Sequence, residues 1–217
     1  MEHLLAEADL FRFLPPESIA LLQRAAVLRD LTRNEILFGQ GDAPSEMYVV
    51  SSGRIAIANK SEDGRESMVA LMERGDLFGE MGMFDEMGRS AEARALERSE
   101  VLAVPYAAVR AELEADPSQL WGVIRLLSQR LRTTDSALAD AVFLDVTGRT
   151  AKRLLEIAGE NESFTLPVTQ EELAGMVGAS RERVNKAISQ FVKLGWLEQS
   201  DRNYRIIDRR QLEIRSG

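Results

Sequence analysis

One short segment of the chain combines a glycine-rich turn with an acid, an arginine and a hydroxyl group. It comprises residues 78–84, FGEMGMF, followed closely by residues 88–91, GRSA. A glycine-rich turn that opens a helix can bind phosphate through its backbone N–H groups, and Arg89 can add a bidentate charged contact. Glu80 would repel a phosphate, but it can accept a hydrogen bond from a sugar hydroxyl beside it. The segment has the chemistry of a sugar-phosphate site, although glycine and arginine also occur together in ordinary turns.

A second group of residues follows the pattern of a helix-turn-helix. Thr169 and Glu172 have the spacing of a capping box, which predicts a helix start, and Gly178 is expected to end that helix. Ser180 can cap a second helix. The apolar residues that share one face of this second helix are Val184, Ala187, Ile188 and Phe191. Two helices joined by a short turn with glycine predict a DNA-binding motif.

The opposite side of the second helix carries polar groups that can read base edges. At about 100° per residue along a helix, these groups span an arc of about 140°. They are Arg181, Glu182, Asn185 and Lys186. Arginine and lysine donate to guanine, and glutamate accepts from cytosine, although an ordinary solvated face has similar residues. Residues 196–198 and 204–207 read as two strands around a polar turn, which would make the motif winged and place Arg202 and Arg205 near backbone phosphates.

The elements that must position the first group are short strands. Between residues 35 and 104, apolar runs at 47–50, 55–57 and 68–71 alternate with turn signals at 39–42, 52–53, 62–65 and 74–76. Regular strands at this spacing predict a small antiparallel barrel or roll. A helix with apolar positions at Ile19, Leu22 and Ala26 is expected to precede it.

After Tyr106 the pattern becomes helical, and a heptad-like seam begins at Leu120. The seam residues are Leu120, Ile124, Leu127, Leu131, Thr134, Leu138 and Ala141. Steps of four and three residues are typical of a two-helix coiled coil, but an amphipathic helix packed on its own domain fits the spacing equally well. Thr134 places a hydroxyl in an apolar seam, where it would set register or meet a ligand. After residues 145–149 a further amphipathic helix, with apolar positions from Ala151 to Ala158, is predicted to run to Gly159. The hinge between domains is predicted between Asp140 and Val146.

Composition limits the classes of protein that remain. The 217 residues suit two modest domains, and the start of the chain lacks a signal-peptide pattern, so a cytoplasmic protein is expected. With no cysteine, and with His3 as the one histidine, no iron–sulfur, haem or zinc site is expected. Residues 1–140 carry 15 Lys and Arg against 24 Asp and Glu, whereas residues 181–215 carry 9 against 5. Only the basic C-terminal end suits nucleic acid.

In this order the motifs resemble the family of the cyclic AMP receptor protein, also called catabolite activator protein. The resemblance rests on the strand-rich region, residues 78–81 with 89–91, the long helix, residues 143–149 and residues 177–182. It implies an α+β fold, with an N-terminal antiparallel β-roll for a cyclic nucleotide (1–117), a long dimerisation helix (118–144) and a C-terminal winged helix-turn-helix (145–217).

The resemblance also implies roles for individual residues. Gly79 and Met81 would contact the nucleotide through the backbone, Glu80 would hold the ribose 2′-hydroxyl, and Arg89 with Ser90 would bind the cyclic phosphate. Thr134 falls where the family contacts the adenine amine, with Asp135 beside it. The residues expected to contact DNA are Thr169, Gln170, Ser180, Arg181, Glu182, Asn185, Lys186 and Arg202. The implied effector is cyclic AMP, and the implied partners are a near-palindromic DNA operator, a second copy of the chain and RNA polymerase.

Alternatives to this interpretation remain. Asp135 stands where the best-known member has a hydroxyl residue; a carboxylate also suits the paired N–H donors of guanine, so cyclic GMP is a second candidate. Lys186 replaces an arginine, which keeps the charge but weakens bidentate reading. A regulator that binds DNA without a ligand is another possibility. A phosphate-processing enzyme would need a metal cluster or a base–nucleophile pair, and the sequence offers neither.

Overall fold

The computed structural model describes residues 4–12, 14–60 and 66–217. The chain forms two compact units, Met1–Leu131 and Arg132–Gly217. No helix in these described ranges is both long and apolar enough to span a membrane.

The first unit is built on two four-stranded antiparallel sheets. The sheets have the orders β1-β8-β3-β6 and β2-β7-β4-β5. Their strands are β1 Val27–Leu31, β2 Ile36–Phe38, β3 Glu46–Ser52, β4 Ile55–Lys60, β5 Glu66–Met72, β6 Leu77–Phe78, β7 Glu92–Ala95 and β8 Ser99–Pro105. The accompanying helices are α1 Leu4–Glu7, α2 Pro16–Ala25, α3 Met81–Asp85 and α4 Tyr106–Ala115, followed by the 3-10 turn Pro117–Gln119. This arrangement confirms the predicted antiparallel roll.

Strand β3 shows why the sequence folds into a roll with two apolar layers. Successive side chains of a strand point to opposite faces. Met47 and Val49 are buried in a cluster with the helices, whereas Tyr48 and Val50 are buried in a second cluster with residues of both sheets. An apolar run without alternation therefore fills both sides of this strand. The predicted turns at 39–42 and 74–76 lie between strands, and the turn at 52–53 begins at the last residue of β3. The turn at 62–65 lies outside the described residues.

Helix α5, Leu120–Phe143, carries the predicted seam and runs across the division between the two units. Its buried positions are Gly122, Val123 and Leu126, and the last two belong to the apolar cluster of the first unit. The seam residues lie on a different stripe. Leu120, Ile124, Leu127, Leu131 and Leu138 are all exposed, at 38–63%. The alternative of a seam packed on its own domain is therefore wrong, because the other stripe makes that contact.

The second unit contains the helix-turn-helix and a small sheet. Its helices are α6 Val146–Ala158, α7 Gln170–Val177, α8 Arg181–Lys193 and α9 Arg209–Ser216. Its strands are β9 Ser163–Thr165, β10 Leu197–Ser200 and β11 Asn203–Ile206, in the order β10-β11-β9. The predicted hairpin is confirmed, but β9 and α9 were not predicted. The break between α5 and α6 falls at residues 144–145, inside the predicted hinge. The three domain ranges, 1–117, 118–144 and 145–217, remain predictions.

Local hydrogen bonds explain where the helices of this unit begin and end. Asp145 accepts from the Gly148 N–H at 2.8 Å and caps α6. The capping box at α7 is complete: Thr169 N donates to Glu172 at 2.6 Å, and Glu172 N donates to the Thr169 hydroxyl. Gly178 ends α7 with φ +68°, a left-handed conformation that favours glycine. These bonds confirm the helix boundaries predicted for the motif.

Candidate functional site

The turn between β6 and α3 depends on the glycine at position 79. Gly79 has φ +76°, and a Cβ placed there would come within 2.7 Å of Arg89 Nη1 and 3.3 Å of a Tyr48 ring carbon. Glycine therefore both adopts the left-handed conformation and leaves room for the arginine. The next residue, Glu80, is the N-cap residue of α3.

Arg89 is held by the backbone around this turn. Its side chain is 7% exposed, and it donates through Nη1 to Gly79 O at 2.6 Å and through Nη2 to Glu46 O at 2.7 Å. The Tyr106 hydroxyl accepts from Arg89 Nη1 and itself donates to Gly79 O. Burial raises the pKa of Tyr106, so this hydroxyl keeps its proton at neutral pH. Within the described residues, Arg89 Nε has no hydrogen-bond partner.

Glu80 is fully buried and paired with an arginine from α5. Arg130 Nη1 donates to Glu80 Oε1 at 2.6 Å, while Arg130 Nη2 donates to Leu77 O. The second carboxylate oxygen, Oε2, has no partner among the described residues. The sequence interpretation missed Arg130. The available signal was its position four residues before Thr134, which places both residues on one side of α5.

The remaining members of the predicted ligand set lie in two places. Met81 is the first residue of α3 and is 45% exposed, and its sulfur lies 3.7 Å from the hydroxyl oxygen of the exposed Ser90. The structure thus brings Gly79, Glu80, Met81, Arg89 and Ser90 together at one end of the roll. Thr134 and Asp135 lie on the part of α5 that belongs to the second unit, and both are exposed.

The predicted base-reading face of α8 is open to solvent. Arg181, Glu182 and Lys186 are exposed, and Asn185 is half-buried. Ser180 caps the helix by accepting from Arg183 N at 3.4 Å. The buried residues on the other face are Val184, Ala187, Ile188 and Phe191, as predicted. The helix is therefore anchored through one face while its charged face remains available for contact.

Several of the predicted DNA-contacting residues border one cavity of about 410 Å³, between the start of α7, the start of α8 and the turn of the β10–β11 hairpin. Thr169, Gln170, Arg181 and Arg202 all line it. Two of them also have roles inside the unit that the sequence did not indicate. Gln170 donates to the Tyr204 hydroxyl at 2.5 Å, and Arg202 donates to Leu166 O at 2.9 Å. Arg202 thereby ties the hairpin turn to the segment that precedes α7.

The described ranges contain no cluster of three or more His, Cys, Asp or Glu side chains that could hold a metal ion.

Two protein families match successive parts of the chain. Residues 28–116 match the cyclic nucleotide-binding domain, and residues 148–215 match the Crp-like helix-turn-helix domain. The first match contains the turn around Gly79 and Arg89. The second contains α7, α8 and the β10–β11 hairpin.

Similar proteins align with most or all of the chain. It is 35% identical over 223 aligned positions to the CRP-like cAMP-activated global transcriptional regulator of Mycobacterium tuberculosis, with all of both chains covered. It is 33% identical to the cAMP-activated global transcriptional regulator CRP of Salmonella typhimurium, covering 71% of this chain and 77% of that one. The solved catabolite activator protein of Thermus thermophilus is 30% identical, with a TM-score of 0.56 and coverage of 96% and 98%. The chain therefore belongs to the cyclic AMP receptor protein family of cyclic-nucleotide-regulated, DNA-binding transcription regulators, which are not enzymes.

Proposed function

We propose that the chain is a homodimeric transcription regulator that binds cyclic AMP in the roll and responds by changing how its recognition helices engage DNA. The observation that carries the proposal is the pair of buried, oppositely charged groups in the roll, Glu80 and Arg89, each with one polar atom unpartnered among the described residues. A buried acceptor and a buried cationic donor suit a ligand that carries both a sugar hydroxyl and a phosphate.

The sugar and the phosphate of a 3′,5′-cyclic nucleotide each have a matching group among the site residues of the roll. The ribose 2′-hydroxyl can donate to Glu80 Oε2, and the cyclic phosphate can accept from Arg89 Nε and from Ser90. The Ser90 hydroxyl lies beside the Met81 sulfur, a weak acceptor, so exchanging that contact for a phosphate oxygen is favourable. The backbone N–H groups near Gly79 and Met81 supply further donors.

The base is assigned to α5. Thr134 can accept from the adenine N6 amine, and Asp135 can accept there as well. The curated relatives named above are described as cAMP-activated, which supports cyclic AMP as the ligand of this chain. Asp135 also favours the N1–H and N2–H donors of guanine, so cyclic GMP is the second candidate.

Calorimetric titration of both cyclic nucleotides tests the assignment of site and base. Wild type is expected to bind cyclic AMP more tightly than cyclic GMP, and Arg89→Ala should lose most of the affinity for either. Undiminished affinity in Arg89→Ala would refute the site. Tighter binding of cyclic GMP by wild type, lost in Asp135→Ser, would refute only the choice of base.

The exposed seam of α5 supports the homodimer. Five large apolar side chains at regular helical spacing are exposed on a helix whose other stripe is already buried, and a second copy of α5 offers the same surface. Leu127→Lys with Leu131→Lys would bring like charges together at such an interface. We expect this double variant to sediment as a monomer. If it sediments as the same dimer as wild type, the seam is not the interface.

The same helix offers a route from ligand to DNA. Arg130, the partner of Glu80, lies on α5 between the seam residues Leu127 and Leu131. A ligand hydroxyl that bonds to Glu80 changes the environment of this arginine, and thereby biases how two copies of α5 pair. The spacing of the two recognition helices would then follow, and RNA polymerase is the expected partner of the DNA-bound dimer.

Recognition of DNA is assigned to the exposed face of α8. We expect a near-palindromic operator with half-sites about one helical turn apart, similar to the TGTGA-type half-site of the family. Arg181→Ala and Glu182→Ala should each lose about 1–3 kcal/mol of discrimination at one base pair. Arg202→Ala should weaken binding to all sequences and lower the salt dependence. Equal losses on specific and random DNA for Arg181→Ala would contradict the assignment.

A further inference from the structure

The guanidinium of Arg89 lies against aromatic rings. Its central carbon is 4.1 Å from the centroid of the Phe38 ring, 5.4 Å from that of Tyr48 and 5.9 Å from that of Tyr106. A cation over an aromatic face is attracted by the ring quadrupole, and the attraction is larger where water is excluded. Arg89 is 7% exposed, so water is largely excluded from its guanidinium. Phe38 is the nearest of the three rings.

Phe38 is itself held in position by two other rings. Its ring stacks on Tyr48 at 5.6 Å with an interplanar angle of 28°, and Tyr48 stacks on Phe78 at 5.4 Å and 25°. Phe38 belongs to β2 in one sheet, whereas Tyr48 and Phe78 belong to β3 and β6 in the other. The stack therefore joins the two sheets beneath the arginine, and Phe38 is the member of the stack closest to it.

The rings and the backbone restrain Arg89 in complementary directions. The bonds to Gly79 O and Glu46 O fix the two terminal nitrogens, while the face of Phe38 limits tilting of the guanidinium plane. The N–H group on Nε consequently has a defined direction. A guanidinium whose orientation is set before the ligand arrives loses less conformational freedom on binding.

We propose that Phe38 is a positioning residue for the cyclic phosphate, acting through Arg89. This inference rests on the proposed function, because it takes Arg89 as the phosphate-binding group. Phe38 is only partly buried, at the edge of its cluster. Its aromatic face over the arginine, rather than its apolar volume, is the property that the site uses.

Two ligands that differ in the phosphate separate positioning from general damage to the site. Calorimetry with cyclic AMP and with adenosine, which has the base and sugar but no phosphate, is carried out on the full chain. Phe38→Leu should weaken cyclic AMP binding about tenfold and leave adenosine binding unchanged. Phe38→Tyr keeps an aromatic face and should restore cyclic AMP affinity.

Phe78→Leu is the matched control, because Phe78 belongs to the same stack but is not among the rings over Arg89. Because the Phe78 ring also contacts Phe38, at 6.2 Å between centroids, this variant should lower stability and change the ratio of cyclic AMP to adenosine affinity less than Phe38→Leu does. An unchanged cyclic AMP affinity in Phe38→Leu, or an equal loss for both ligands, would overturn the inference.

A spectrum without ligand keeps the inference separate from the proposed function. In protein labelled with ¹⁵N-arginine, the Arg89 Nε–H proton should be shifted upfield by the Phe38 ring; Arg89→Lys assigns the signal. The shift should disappear in Phe38→Leu and persist in Phe38→Tyr. If wild type binds no cyclic nucleotide, the proposed function fails, and the spectrum still decides whether the Phe38 ring lies over the Arg89 guanidinium. The same shift in wild type and Phe38→Leu would show that it does not.

Discussion

Replacing Arg130 with methionine is expected to destabilise the first unit by about 3 kcal/mol. Methionine is similar in length and carries no charge, so Arg130→Met removes the hydrogen bonds to Glu80 and to Leu77 O while keeping much of the packing. Glu80 is 0% exposed. In Arg130→Met the Glu80 carboxylate would remain buried without its bond to the arginine. The stability of this variant therefore measures how strongly the roll depends on α5.

The magnitude follows from the burial of the two partners. Removing one member of a buried ion pair costs about 3–5 kcal/mol, because the other charge loses its compensation. The Arg130 side chain is 34% exposed, so water can enter the vacated position and the lower end of the range applies. Loss of the hydrogen bond to the Leu77 carbonyl is included in this figure, since a typical net contribution is only about 1 kcal/mol.

A double-mutant cycle separates the charge from the packing. Glu80→Gln replaces the carboxylate with a neutral amide of the same shape. The variant with both substitutions should be more stable than Arg130→Met alone, because it buries no unpaired charge. We expect a coupling energy of about 2 kcal/mol between the two positions.

Urea unfolding monitored by tryptophan fluorescence measures these differences. Trp121 lies at the start of α5 in the first unit and Trp196 lies in the second, so a Trp196→Phe background makes the signal specific to the roll. Additive costs for the two substitutions would refute the pairing. A loss below about 0.5 kcal/mol in Arg130→Met, the size typical of surface substitutions, would also refute it.

Three further predictions concern local structure. Thr169→Ala should destabilise the second unit by about 1 kcal/mol through loss of a helix cap, while Thr169→Ser should not; equal unfolding midpoints would contradict this. The backbone N–H of Gly148 lowers the pKa of Asp145 below 3.8, so the charge stabilises the fold above about pH 4 and this contribution is lost as the pH falls further. The stability difference between wild type and Asp145→Asn should therefore shrink below pH 4, and a constant difference from pH 7 to 2 would count against the mechanism. Gly79→Ala should cost more than Gly178→Ala in urea unfolding: both have positive φ, but only the Cβ at position 79 meets other atoms. A larger stability loss in Gly178→Ala than in Gly79→Ala would show that the crowding at position 79 is relieved.

The sequence by itself determined the local elements. The capping box at α7, the cap at Ser180 and the glycine that ends α7 involve groups within a few residues of one another, so spacing and residue type were sufficient. The strands and their turns were readable for a similar reason: apolar runs and glycines recur at regular intervals along the roll. Strand β9 was missed because its three residues are too short to show any period.

Only the tertiary structure decided which side chains meet. Glu80 and Arg130 are 50 residues apart in the sequence, and strands β3 to β6 lie between Phe38 and Arg89, so no local pattern relates the members of either pair. No local pattern indicated the second role of Arg202 either. The sequence assigned this residue to a DNA phosphate, and in the structure it also donates to Leu166 O. The heptad spacing of α5 allowed either packing or exposure of the seam, and the choice was made by the stripe with Val123 and Leu126, which fits the apolar cluster of the roll. Periodicity along the chain shows which face of an element is buried, but not which distant side chain that face meets.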